Sequence, residues 1–275
     1  MKKMTQKLFT LMVVTATLST MQASAHNLSM WPSKFTVNSS KPTVLTIDFT
    51  RGDLAYRLGK AVSPIGFNVL DPHGKVISLS KAPYQGAERT TVELPINEQG
   101  TYTLKYDTKP RYTTSYTAGK EAKKKRLRLD KIAAKEELPN SAKHVMTKKS
   151  ITSAIAFITN IRPSSESFEI TGKGLEITLM THPSDYVTEE TIAMLVTYNG
   201  KPFTNGEVSL TRDGAQYTVN SAPTRSITDK NGELNFIFKQ GGRYMLSIKH
   251  SVKENTELYD ELSHRLFYAF EVIYE

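Results

Sequence analysis

The chain contains no cysteine among its 275 residues, a single tryptophan, and one long apolar run, which lies close to its start. Without thiols there are no disulfides, no thiolate metal site and no lipid-modified cysteine to anchor the chain. Any metal has to be held by imidazole, carboxylate, amine or thioether groups. Several reaction signatures are missing as well: there is no G-x-S-x-G, H-E-x-x-H or P-loop sequence. Ser78-Leu79-Ser80-Lys81 has S-x-x-K spacing but none of the companion motifs. Asp229-Lys230-Asn231-Gly232 has turn chemistry without the ligand spacing of a calcium loop. No catalytic residue is assigned, and the chain is not read as an enzyme.

The one apolar run belongs to a leader. Lys2, Lys3 and Lys7 precede an apolar stretch over residues 8–18, and Ala23 and Ala25 form an A-x-A cleavage site. The run is too short for a stable membrane span, so the reading is a signal peptide over 1–25, export, and a periplasmic mature chain starting at His26. Removing three lysines lowers the formal net charge from +9 to about +6, which suits an anionic envelope surface. No second apolar stretch is long enough to predict a membrane span in the mature chain.

The rest reads as strands. Residues 43–50 (TVLTIDFT) alternate apolar and polar side chains with period two. Residues 66–70 and 76–79 flank the turn Asp71-Pro72-His73-Gly74 as a hairpin. Residues 90–94 and 101–106 follow. Residues 169–179, 191–198, 207–211, 234–238 and 244–249 continue the pattern, and 266–273 close it. Gly100-Thr101-Tyr102-Thr103-Leu104 and Gly242-Arg243-Tyr244-Met245-Leu246 form a weak internal repeat. The predicted fold is all-β: two tandem antiparallel Ig-like β-sandwiches, 26–110 and 166–275, joined by a basic, partly helical linker over 111–165. The helix is expected between Gly119 and Pro139, where eight lysines and arginines cluster without β alternation. Aromatic interleaving is nearly absent there, which argues against nucleic acid.

Six histidines are the distinctive ligand type. Cleavage after Ala25 would give His26 an α-amine and an imidazole on one residue, a chelating pair for Ni(II), Cu(II) or Zn(II). His182, in Thr181-His182-Pro183-Ser184-Asp185, is the second candidate, with Asp185 beside or behind it. His73, His144, His250 and His264 read as turn, linker and strand-end residues.

Several segments together resemble the DUF4198 family of exported bacterial proteins, related to periplasmic components of nickel and cobalt uptake. They are Ala25-His26 with Trp31-Pro32-Ser33, residues 125–138 with Pro139, Thr171-Gly172-Lys173-Gly174-Leu175-Glu176-Ile177, Thr181 to Asp185, Asn199-Gly200-Lys201-Pro202, and Thr228-Asp229-Lys230-Asn231-Gly232-Glu233. The tryptophan falls later after His26 than the family's His-x-x-Trp spacing. The resemblance implies an exported β-sandwich protein linked to metal, and it places His26 and His182 inside matching motifs.

The leading expectation is therefore a periplasmic accessory protein. It would bind nickel, cobalt or copper through His26, His182 and Asp185 and present it to an envelope transporter or receptor. A non-catalytic envelope interaction module without metal is the alternative. A copper oxidase with a histidine brace is the third reading.

Overall fold

The structure, a computed structural model, describes residues 27–79, 81–164, 170–218 and 222–275. The expected leader, its cleavage site and His26 lie outside the described residues. In chain order the first strands are β1 (Asn27–Pro32), β2 (Thr36–Val37), β3 (Thr43–Gly52), β4 (Lys60–Ala61), β5 (Phe67–Leu70), β6 (Tyr84–Gln85), β7 (Thr90–Ile96) and β8 (Gly100–Asp107). Then come β9 (Arg111–Ala118), β10 (Lys123–Leu127), the helix α1 (Lys131–Glu137) and β11 (Lys143–Asn160). The remainder is β12 (Leu175–Leu179), β13 (Thr191–Tyr198), β14 (Lys201–Pro202), β15 (Glu207–Arg212), β16 (Thr224–Ile227), β17 (Glu233–Ile237), β18 (Gly242–Lys253) and β19 (Glu261–Val272).

These strands form three sheets. One has five strands, in the order β1-β3-β7-β6 with β4 on β3, and one has four, β12-β13-β14 with β17 on β13. Between them runs a ten-stranded sheet, β10-β9-β11-β19-β18-β15-β16, to which β8, β5 and β2 are added. Side-chain alternation shows how the layers stack. Ala154, Ala156, Ile158, Phe267 and Ala269 join the first core with Leu28, Ile47, Leu94 and Leu104. The intervening Phe157, Leu266, Tyr268 and Phe270 join the second core with Ile192, Met194 and Val196. Successive residues of a strand point to opposite faces, so β11 and β19 serve both cores, one from each face. The chain is all-β, with two sandwich cores that share a middle sheet.

That sharing explains where the segment 111–165 departs from a linker. It contains a helix, as expected, but also β9, β10 and the 18-residue β11, which pairs with β8, β9 and β19. Asp130 caps the helix, its carboxylate accepting the Ile132 and Ala133 N–H groups at 3.0 and 2.9 Å. The lysine run at 123–125 lies on β10, an outer strand exposed along most of its length, where lysines protect an open edge from pairing. Residues 76–79 form no strand; Val76 makes only a single bridge to Leu70.

The internal repeat has a structural counterpart. The Tyr102 hydroxyl donates to the Glu98 carbonyl at 3.2 Å, and the Tyr244 hydroxyl to the Gln240 carbonyl at 2.6 Å. Each phenol reaches back four residues and pins the turn that opens its strand, the device known as a tyrosine corner. Gly100 and Gly242 precede these tyrosines with φ of 129° and 136°, a region that side chains disfavour.

Candidate functional site

His182 and Asp185 frame a short 3-10 turn, Pro183–Asp185, which the His182 side chain caps. The Ser184 N–H donates to His182 Nδ1 at 3.1 Å, and the Ser184 hydroxyl lies 2.7 Å from the same nitrogen. Nδ1 therefore carries no proton in the neutral ring, and Nε2–H faces Thr101 Oγ1 at 3.0 Å. Burial holds the imidazole below its ordinary pKa, against the opposing pull of the Asp185 carboxylate. Asp185 is itself engaged, accepting the Ser184 hydroxyl at 3.0 Å. A nickel, cobalt or copper ion at His182 or Asp185 would have to displace these contacts. Among the described residues no group of three or more histidines, acids or cysteines is arranged to hold a metal.

His182 is also remote from the point where the chain enters β1. Asn27 pairs with Gly52 at one end of β1 and Pro32 with Ile47 at the other. Beyond that far end the Phe35 carbonyl accepts the Thr159 N–H, and Thr159 Oγ1 lies 3.3 Å from Thr101 Oγ1, the partner of His182. Asn27 and His182 thus sit at opposite ends of β1, roughly 17 Å apart at ~3.3 Å per residue. Asp185 stays with His182, while the neighbour of His26 does not.

Asn27 instead lines a cleft of about 420 Å³ with Ser209, Arg225, Ser247, Lys249 and Arg265, and with Glu207 as its one carboxylate. The middle sheet builds its floor. Ser209 is paired with Arg225 on one side and Ser247 on the other, and Ser247 with Phe267. Two residues further along the same face, Lys249 is paired with Arg265. Burial and the Arg111 guanidinium hold Arg265 below its ordinary pKa. Arg111 is lowered in turn by burial and by Arg51 and Arg128. Lys249 is lowered by burial, Lys148 and Arg265, with Glu261 opposing.

The surrounding cations are treated differently. Lys148 pairs with Glu261 at 2.7 Å, Lys131 with Asp260 at 2.6 Å, and Arg243 with Asp213. Among the described residues no carboxylate is in ion-pair contact with Arg51, Arg111, Arg128, Arg225, Lys249 or Arg265. Sequence reasoning assigned the positive charge to residues 119–138 and missed this group. Its members are scattered over β3, β9, β16, β18 and β19, with Arg128 just after β10. Sheet register brings Arg111, Arg225, Lys249 and Arg265 to one face, and Arg51 and Arg128 lie close enough to Arg111 to lower its pKa.

The opposite face gathers His250 and His264, directly paired across β18 and β19. Tyr198 meets both rings edge-on, with centroids 4.4 and 5.4 Å away, and Phe203 meets His250 at 4.9 Å. Burial lowers both imidazole pKa values, and His250 lowers that of His264 further.

No curated protein matches the chain. Among solved structures it is similar to the D0-D1 domain of intimin, with 14% identity, coverage of 89% of this chain and 97% of that one, and a TM-score of 0.23. It is also similar to the adhesin InvE of Yersinia pseudotuberculosis, with 11% identity, coverage of 88% and 58%, and a TM-score of 0.21. Residues 23–252 match a domain of unknown function, DUF4198, and the chain belongs to that family.

Proposed function

We propose that this chain is an exported, non-catalytic docking module of the cell envelope that holds itself against an anionic, phosphate-bearing surface. The observation that carries the reading is the set of six cations without carboxylate partners, Arg51, Arg111, Arg128, Arg225, Lys249 and Arg265, near or on one face of the middle sheet. Like charges at neighbouring positions repel, and the partial burial of Arg51 and Arg265 adds to the cost. An anionic partner offsets both. Each lysine or arginine close to an anionic membrane contributes about 1 kcal/mol, screened by salt over about 10 Å at 0.1 M.

Co-sedimentation with vesicles tests the reading. Binding is expected to vesicles containing anionic phosphatidylglycerol and not to pure phosphatidylcholine, and it should weaken as salt rises. Equal binding to both, or none to either, would overturn it.

A further inference from the structure

The cleft beside Asn27 is more specific than a charged surface needs to be. Its residues come from β1, β15, β16, β18 and β19 and meet over one patch of sheet. The hydroxyls of Ser209 and Ser247 occupy the centre of a cross-strand row that ends in Arg225 on one side and the Phe267 ring on the other. Lys249 and Arg265 form the next row on that face. With rows about 7 Å apart and strands about 4.8 Å apart, the two arginines and the lysine can reach inward over the serines from different sides. Guanidinium groups present paired N–H donors that match two oxygens of a phosphate. The Asn27 amide donates to the Asp53 carbonyl at 3.4 Å, which holds it at the rim.

Two further features narrow the ligand. The volume, about 420 Å³, exceeds what a bare phosphate fills and lies within the usual range for organic ligands, ~300–1,000 Å³. Glu207 is an acceptor with no role in holding a phosphate, but it suits a hydroxyl on the ligand's organic part. We propose that this cleft binds a phosphate group carried on a hydroxylated substituent, of the kind found both in free sugar or glycerol phosphates and in glycerol-phosphate headgroups. The proposal rests on the docking reading above and adds to it a defined pocket with donors for the phosphate and an acceptor for the hydroxyls.

Titration calorimetry of the mature chain with inorganic phosphate and with glycerol 3-phosphate provides the test, run beside the vesicle assay. Glycerol 3-phosphate is expected to bind at least tenfold more tightly than inorganic phosphate. Arg265→Gln and the more exposed Arg225→Gln should each weaken it at least fivefold while the circular dichroism spectrum is unchanged. Lys230→Gln, an exposed turn residue outside both the cleft and the cationic set, should leave it as it was. Binding of the soluble ester without vesicle binding would support the pocket and refute the docking role. Vesicle binding with no response to either soluble phosphate at millimolar concentration, or full binding by both cleft variants, would overturn the pocket and leave the docking role standing.

Discussion

The two faces of the middle sheet, where it extends past the sandwich cores, carry different chemistry on the same strands. One face bears Lys249 and Arg265, in step with the first-core residues Met245 and Phe267. The other bears His250 and His264, in step with Leu246 and Leu266 of the second core. On the second face aromatic rings surround the histidines and neighbouring polar groups are engaged: Lys149 Nζ lies 5.1 Å above the Tyr259 ring, and the Tyr259 hydroxyl donates to Glu254 at 2.9 Å. On the first face Lys249, Arg265 and Arg111 face one another, with Glu207 and Glu261 as nearby acids but, among the described residues, no ion pair from either to these three. A packed imidazole face stabilises the fold, whereas an incompletely compensated cationic face costs stability and gains from a partner. That difference favours the cationic face as the working surface, although the histidines are the more eye-catching residues in the sequence.

The largest expected effect comes from discharging the cationic face. Replacing Lys249 and Arg265 together by glutamine should reduce binding to anionic vesicles about 30-fold, at about 1 kcal/mol for each charge. The melting temperature should hold or rise, because the variant relieves repulsion from Arg111 and Lys148. Thermal melts beside the vesicle assay read both. A variant that loses stability and binding in parallel would mean that these cations hold the fold together and that the two faces do not differ as described.

The imidazole face can be broken from outside the histidines. Gly174 has φ of 68°, and a Cβ there would stand 3.0 Å from His264 Nδ1. Gly174→Ala combines backbone strain with a push on a packed ring and should cost about 2 kcal/mol. Gly119→Ala is the control: φ is 83°, with nothing within 4 Å of the added carbon, so only the backbone term of about 1 kcal/mol applies. Urea unfolding of the two variants compares them. Equal losses would show that His264 is not tightly packed against Gly174.

His182 supplies a smaller effect of the same structural kind. His182→Ala removes the acceptor for the Ser184 N–H and the contact with Thr101 and should cost about 1–2 kcal/mol. Asparagine, a good helix-capping residue, should restore part of that loss. Nickel calorimetry should give the same isotherm for the parent and His182→Asn. A weaker isotherm for the variant would return His182 to the metal site that its motif suggested.

How far the sequence could be read follows from these same residues. Strands with one buried face were legible, because alternation reports a half-buried sheet: residues 191–198 match β13 end to end, and 43–50 lie within β3. The long strand β11 was not legible. Its second half is buried on both faces, so Ala154 to Asn160 shows no polar face, while its first half mixes lysine, serine and threonine with Val145, Met146 and Ile151 out of any alternation. The repeat around Tyr102 and Tyr244 was visible because each tyrosine corner is a local device of a few residues. The cationic cleft was invisible for the opposite reason, since Arg225, Lys249 and Arg265 are neighbours only through cross-strand register. The His182 motif was legible as a conspicuous loop, but a motif does not say whether its imidazole caps a turn or binds a metal.

The gentlest way to separate the faces is pH. His182, His250 and His264 all have pKa values lowered mainly by burial. The folded chain therefore binds protons at these rings less readily than the unfolded chain, whose imidazoles titrate near 6.5. Their contribution to stability is intact above about pH 6.5 and is lost as pH falls below it, because protonation then favours the unfolded state. Glu254 opposes part of this at His264, and Lys149 adds to it. The cleft cations stay charged throughout that range, since lysine and arginine titrate far higher. Urea midpoints should accordingly fall between pH 7.5 and 5.5, with a shallower fall for His264→Gln, while vesicle binding by the folded chain shows no loss of its lysine and arginine charges. A midpoint that stays level across that interval would mean the imidazoles are as open to water when folded as when unfolded, and the two faces would then differ in charge but not in packing.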